Sequence, residues 1–107
     1  MRIIKVLTLE GYARRHARAA ASLRTWTSVV RAAAWKNFAE VRMTFSNADQ
    51  VRLPSGRTIT VFNLAGNEFR LITAIHFHSE NPERGRVYIR EFLTHAEYSK
   101  DQWKERH

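Results

Sequence analysis

Arg57-Thr58-Ile59-Thr60-Val61-Phe62-Asn63, then Leu64-Ala65-Gly66-Asn67, then Glu68-Phe69-Arg70-Leu71-Ile72-Thr73-Ala74-Ile75-His76-Phe77-His78: this stretch decides the fold. Its two flanks are rich in β-branched and aromatic residues, which favour a pleated, half-buried surface. Between them, Gly66 and Asn67 are the residues most tolerant of positive φ, so 64–67 reads as a hairpin turn. In the second flank, 68–78, successive side chains point to opposite faces. Phe69, Leu71, Thr73, Ile75 and Phe77 take one face, and Arg70, Ile72, Ala74, His76 and His78 the other.

Working outward, Ser79 to Gly85 with Asn81-Pro82 is loop chemistry, and 86–93 is a further strand with Tyr88 and Arg90 on one face. Thr94 can cap a polar tail helix that runs toward Trp103. On the N-terminal side, Pro54-Ser55-Gly56 is a turn and Ser46-Asn47-Ala48-Asp49 a loop. Before these, the period changes from two to near four. Leu9, Tyr12, Ala13, His16, Ala17 and Ala20 form one apolar stripe, leaving Arg14, Arg15 and Arg18 opposite. Trp26, Val29, Val30 and Ala33 form another, and Asn37 with Glu40 has capping-box spacing for a third short helix. Two or three helices are thus expected between residues 8 and 44, with Thr8 as the first cap, Glu10 in the first turn, and a short strand over 2–6. Whether the first helix breaks between His16 and Ala21 is left open. The expected fold is α+β: an N-terminal strand and helices on one face of an antiparallel sheet, then a short C-terminal helix, in a single domain spanning 1–107.

Composition narrows the function classes. The chain has 107 residues, room for one core. Lys+Arg number 18 against 10 Asp+Glu, a net charge of +8, and the pI is about 10.8. That balance excludes a dedicated binder of cations and points to phosphates or acidic partners. With no cysteine, disulfides, zinc-thiolate sites and thiol nucleophiles are excluded. No apolar run is long enough to cross a membrane, and the apolar stretch at Ile3-Ile4 is too short for a signal peptide, so a cytoplasmic protein is expected.

The outer sheet face holds the candidate chemistry. Arg70 and Arg90, on neighbouring strands, could together hold a phosphodiester; strand arginines are also commonly solvated or paired, here with Glu68 or Glu91. His95 is of the type that titrates near neutrality, and Tyr98 lies one helical turn on, so the pair resembles acid/base equipment. A cap with an interfacial tyrosine would give the same spacing. His76-x-His78 shares a strand face, but without a convincing third ligand no metal is expected, and no cofactor.

Two motifs together carry a family resemblance. Val61 to Leu71, and Val87-Tyr88-Ile89-Arg90 followed by Thr94-His95-Ala96-Glu97-Tyr98, are similar to the corresponding segments of HigB-type toxins of the RelE/ParE-like superfamily. The similarity runs through Met1-Arg2-Ile3-Ile4, Trp26, Trp35, Ser46 to Val51 and Trp103-Lys104. It implies a small RelE-like fold and a toxin of a bacterial toxin–antitoxin module. The implied activity is endonucleolytic mRNA cleavage, commonly on the ribosome, which inhibits translation. The implied partners are mRNA, the ribosome and a helix-turn-helix antitoxin, which would link the chain indirectly to operator DNA. By position, Arg70, His95 and Tyr98 match the family's catalytic residues. Arg90, Asn67, Arg57, Lys104 and His76 are the expected RNA contacts around them. One departure is Ser99, where similar sequences often carry Asp. The competing classes are a ParE-like gyrase inhibitor and a plain RNA-binding module.

Overall fold

The computed structural model describes all 107 residues. The chain runs β1 (Arg2–Ile4), α1 (Val6–Arg15), α2 (Ala20–Ala32), α3 (Phe38–Thr44), β2 (Asp49–Arg52), β3 (Thr58–Leu64), β4 (Phe69–His76), β5 (Arg86–Thr94) and α4 (His95–Ser99). Short 3₁₀ segments cover Ala17–Ala19 and Pro82–Arg84, and a longer one covers Gln102–Arg106. The five strands form one sheet in the order β1-β5-β4-β3-β2. From β3 to β5 it is the expected antiparallel meander; β2 adds to it antiparallel beside β3, and β1 lies parallel to β5, with Arg2 opposite Arg86. The sheet is therefore mixed rather than antiparallel throughout. A parallel neighbour needs a long crossover, and here everything from α1 to β4 separates the two strands. Strand β2 was not expected, because Asp49-Gln50-Val51-Arg52 carries one apolar residue; pairing with Val61 to Thr58 imposes the extended form.

The N-terminal helix also departs from its local signals. Lys5 adopts a left-handed conformation (φ 70°), which turns the chain out of β1 and starts α1 at Val6. Thr8 thus lies inside the helix instead of capping it, and Glu10 lies beyond the first turn. The open question at His16 resolves as a break: its N–H still donates to the Tyr12 carbonyl, then the chain leaves the helix. Its ring packs on Phe69 and Phe92, with centroids 5.1 and 5.7 Å away. The break disperses the three arginines expected on one face. Arg15 sits over the Tyr12 ring and Arg18 pairs with Glu68, while Arg14 lines the groove between α1 and α2. Asn37 caps α3 as its spacing predicts, accepting from the Glu40 N–H at 3.0 Å.

The sheet has a core on each face. Leu9, Tyr12, Leu23, Trp26, Val30 and Trp35 pack against Phe62, Phe69, Leu71, Val87 and Phe92 on the helical side. On the other side Leu53, Ile59, Val61, Ile72, Ala74 and Leu93 lie under Trp103, which is 0% exposed. Burying an indole of that size contributes about 4–6 kcal/mol of gross hydrophobic stabilisation. The tail is thus a structural lid over the middle of the outer face. It leaves the two ends of that face open, and each end carries part of the basic chemistry.

Candidate active site

The first end is built on the β3–β4 hairpin. Ala65, Gly66 and Asn67 all have positive φ, at 53°, 60° and 84°. Gly66 and Asn67 were legible as such; Ala65 was not, and its Cβ makes the conformation cost about 1–2 kcal/mol. Asn63 steadies the turn by donating from Nδ2 to Asn67 Oδ1 at 3.2 Å. The turn presents the Asn67 carbonyl to the side chain of Arg70, which donates to it at 2.8 Å and to the Phe69 carbonyl at 3.1 Å from the same nitrogen. The second terminal nitrogen lies 3.0 Å from His95 Nδ1. Arg70 is only 6% exposed, and its guanidinium lies over the Tyr98 ring, 5.4 Å from the centroid. It makes no salt bridge to a carboxylate. A guanidinium carries five N–H donors. Three are engaged by these partners, which leaves two without a partner.

His95 and Tyr98 are delivered by α4. Thr94 caps it in a reciprocal box: Thr94 Oγ1 accepts from the Glu97 N–H at 3.2 Å, and Glu97 Oε1 accepts from the Thr94 N–H at 2.9 Å. These bonds hold the Glu97 carboxyl below the usual carboxylate range, the backbone donor contributing most. The His95 N–H donates to the Glu68 carbonyl at 2.8 Å, which stitches the helix start to the hairpin. Arg has no acceptor, so in this contact His95 Nδ1 accepts from Arg70. Tyr98 stacks on Trp103 with centroids 5.1 Å apart, and the indole N–H donates to the Tyr98 carbonyl at 3.1 Å. Burial raises the Tyr98 phenol above its ordinary value and Asp49 and Asp101 add to this, against the opposing charge of Arg70. Burial at this position therefore favours the protonated phenol.

Arg70 and Tyr98 open onto a cleft of about 350 Å³ whose far wall is the α3–β2 loop and Asp49. In the sequence Ser46 to Asp49 carries loop chemistry and part of the resemblance, and neither Arg42 nor Asp49 stands out there as a cleft residue. Asp49 is the only carboxylate lining the cleft, and Arg42 joins the same wall while donating to the Ser46 carbonyl. The signal available was the cluster Ser46-Asn47-Ala48-Asp49 itself; its position opposite Arg70 depends on the β2–β3 register, which no local pattern fixes.

The expected RNA contacts divide. Asn67 belongs to this end, through its carbonyl on Arg70. Lys104 pairs with Asp101 at 3.3 Å and lies over the Trp103 ring, on the tail. Arg57, His76 and Arg90 gather at the opposite end of the sheet. Arg70 and Arg90 thus do not form the neighbouring pair that the strand pattern implied. Arg70 faces Leu93, and β5 carries a bulge: Ile72 pairs with Glu91 and Thr73 with Ile89, leaving Arg90 as the extra residue. The two glutamates proposed as partners are taken elsewhere, Glu68 by Arg18 and Glu91 by Arg106 and His107. His76 packs on Tyr88, whereas His78 Nδ1 accepts from the Asn81 N–H; no group of three His, Asp or Glu side chains converges as a metal site. No helix is long and apolar enough to cross a membrane.

The four helices and five-stranded mixed sheet make an α+β fold consistent with a small RelE-like domain. The family model for HigB toxin, the RelE-like toxic component of a toxin–antitoxin system, matches residues 19–101, and the chain belongs to that family. No curated protein sequence matches the chain closely enough to count as a relative. Membership makes the chain a toxin whose partner is an antitoxin.

Proposed function

We propose that the chain is an mRNA interferase: an endoribonuclease that cuts mRNA, in the cytoplasm and on the ribosome, to stop translation. The observation that carries this reading is Arg70, a nearly buried guanidinium with two N–H donors to spare at the mouth of a cleft shared with Tyr98 and Asp49. A cation held by three partners before substrate arrives costs little reorganisation when charge develops on a phosphorane.

The roles follow from which side chains line the cleft. Asp49 accepts the proton of the ribose 2′-hydroxyl. The 2′-oxygen attacks phosphorus, charge collects on oxygens facing Arg70, and the P–O5′ bond breaks. Tyr98, kept protonated by burial, gives its proton to the departing 5′-oxygen, and the products are a 2′,3′-cyclic phosphate and a 5′-hydroxyl. His95, which does not line the cleft, acts by positioning Arg70 through Nδ1. Silencing falls to the antitoxin, for which a helix-turn-helix DNA-binding protein that carries the complex to operator DNA is the fitting class. The test is cleavage of ribosome-bound mRNA by purified chain, beside an identical message with hydrogen in place of the 2′-hydroxyl at the cut site. Cutting of the first and not the second is expected. Tight RNA binding with no cut product would make the chain a plain RNA-binding module.

A further inference from the structure

The other open end of the outer face has its own recognition chemistry. The register places Ala74 opposite Tyr88 and His76 opposite Arg86. Together with Ile59 near the start of β3, these strands floor a second cleft, of about 500 Å³, walled by Arg57, His76, Tyr88 and Arg90. Arg57, His76 and Arg90 are exposed and Tyr88 is half-buried. The imidazole of His76 leans on the Tyr88 ring, centroids 5.0 Å apart, and the Arg86 guanidinium reaches the Tyr88 hydroxyl at 3.4 Å. Arg57, Arg86 and Arg90 pair with no carboxylate, and no carboxylate lines this cleft. Glu91, next to Arg90 in sequence, is held by Arg106 and His107. Cations left unpaired around an aromatic face and an apolar floor are the combination that binds single-stranded nucleic acid: the ring stacks a base and the cations neutralise flanking phosphates.

We propose that this cleft is a second RNA-binding site, which takes one unpaired base against Tyr88 and His76 and the adjoining phosphates on Arg57 and Arg90. It rests on the nuclease reading above and extends it. His76 is six residues from Arg70 along β4, about 20 Å away, and the Trp103 tail covers the sheet between them. The cleft therefore holds RNA well away from the bond being cut. That RNA is either a more distant part of the message or an unpaired loop of ribosomal RNA; the chemistry is the same.

The experiment measures binding, not cutting. The probe is a fluorescent single-stranded oligoribonucleotide carrying 2′-O-methyl groups, which the chain cannot cleave by in-line attack; vacant ribosomes form the second arm. The full chain is compared with Arg57→Ala/Arg90→Ala and with Tyr88→Leu, each checked for an unchanged melting temperature. The double arginine variant should flatten the plot of log affinity against log salt by about 1.4, or about 0.7 for each phosphate left without its arginine. Tyr88→Leu should weaken binding roughly 5- to 150-fold with the salt slope retained. Weaker binding to the oligonucleotide assigns the cleft to the message, and weaker binding to vacant ribosomes alone assigns it to ribosomal RNA. Parental affinity and slope on both probes overturn the proposal. Cleavage of an unmodified message is followed in parallel. A parental chain that binds through the cleft but cuts nothing removes the nuclease reading and leaves the cleft. One that cuts, with variants binding as the parent does, removes the cleft alone.

Discussion

The two ends of the outer sheet face are both basic, yet they hold their cations in opposite ways. At the hairpin end Arg70 is buried, held by two carbonyls and an imidazole, and backed by a phenol. At the far end Arg57 and Arg90 are exposed and unpaired. A side chain with no freedom can serve one oxygen at one place, which is what stabilising a transition state demands. A mobile cation in water serves any phosphate within reach and is screened by salt. Net charge alone does not separate the two; the partners of each guanidinium do.

The largest effect should come from breaking the fixed end. Arg70→Ala and Arg70→Lys should each lower single-turnover cleavage of ribosome-bound mRNA by roughly 10²–10³. Lys keeps the charge but cannot span Asn67, Phe69 and His95 while facing a phosphate. The sheet should survive, because its ladders use backbone groups that neither change touches. Parental cutting by folded Arg70→Ala would show that the chemistry lies elsewhere.

Next come the two groups proposed to carry protons. Tyr98→Phe and Asp49→Asn should each cost roughly 10²-fold or more in the same assay, the lower part of the range for positioned proton transfer. The phenol has a second readout. Burial, the largest cause in each case, raises both Tyr98 and Tyr12. A raised phenol favours the folded state below its ordinary titration range, and that contribution is lost as pH climbs through the folded value. Tyrosinate absorbance should therefore rise late, and Tyr98→Phe should remove one late-titrating phenol while Tyr12 keeps the other. An unchanged late amplitude in Tyr98→Phe would mean that the phenol is not buried against Trp103 as described.

Weakening the element that delivers Tyr98 should give an intermediate effect. Thr94→Ala removes the cap oxygen of α4 and should destabilise the chain by about 1 kcal/mol, with amide exchange accelerated in His95 to Ser99 before other segments. Uniform exchange across the chain would show that α4 is not held by its cap. That cap was legible in the sequence because it is local: Thr94 and Glu97 lie three residues apart and need only each other. The hairpin around Gly66 and Asn67 was legible for the same reason, and so was the facing of Arg70, which follows from alternation. What escaped was set by distant partners. β2 exists because β3 is beside it, Arg90 is displaced by a bulge in β5, and Asp49 reaches the cleft only through the β2–β3 register. Residue type and helical spacing singled out His95 and Tyr98 as a pair, and the resemblance matched them to the family, but neither supplied the tail that wedges Trp103 behind Tyr98.

The smallest effect concerns what keeps the two ends apart. The tail is latched to β5 by Glu91, which receives Arg106 at 2.7 Å and His107 at 2.8 Å. Burial alone would raise the Glu91 carboxyl, but the hydrogen bonds from Arg106 and His107 outweigh it and hold the group below its ordinary value. A depressed carboxyl stabilises the folded chain above the ordinary carboxylate range, and the contribution disappears as pH falls through the folded value. Glu91→Gln keeps the shape and removes the charge, so it should melt slightly below the parent at neutral pH, by at most about 5 °C. The two melting curves should converge in acid, where the parent's carboxyl is also neutral. Thermal melts followed by tryptophan fluorescence, taken from neutral pH down to the acid limit of folding, make the comparison. A deficit that stays constant across that whole range would mean that Glu91 acts through packing. The separation of the fixed and free ends would then rest on the Trp103 wedge rather than on the ionic latch.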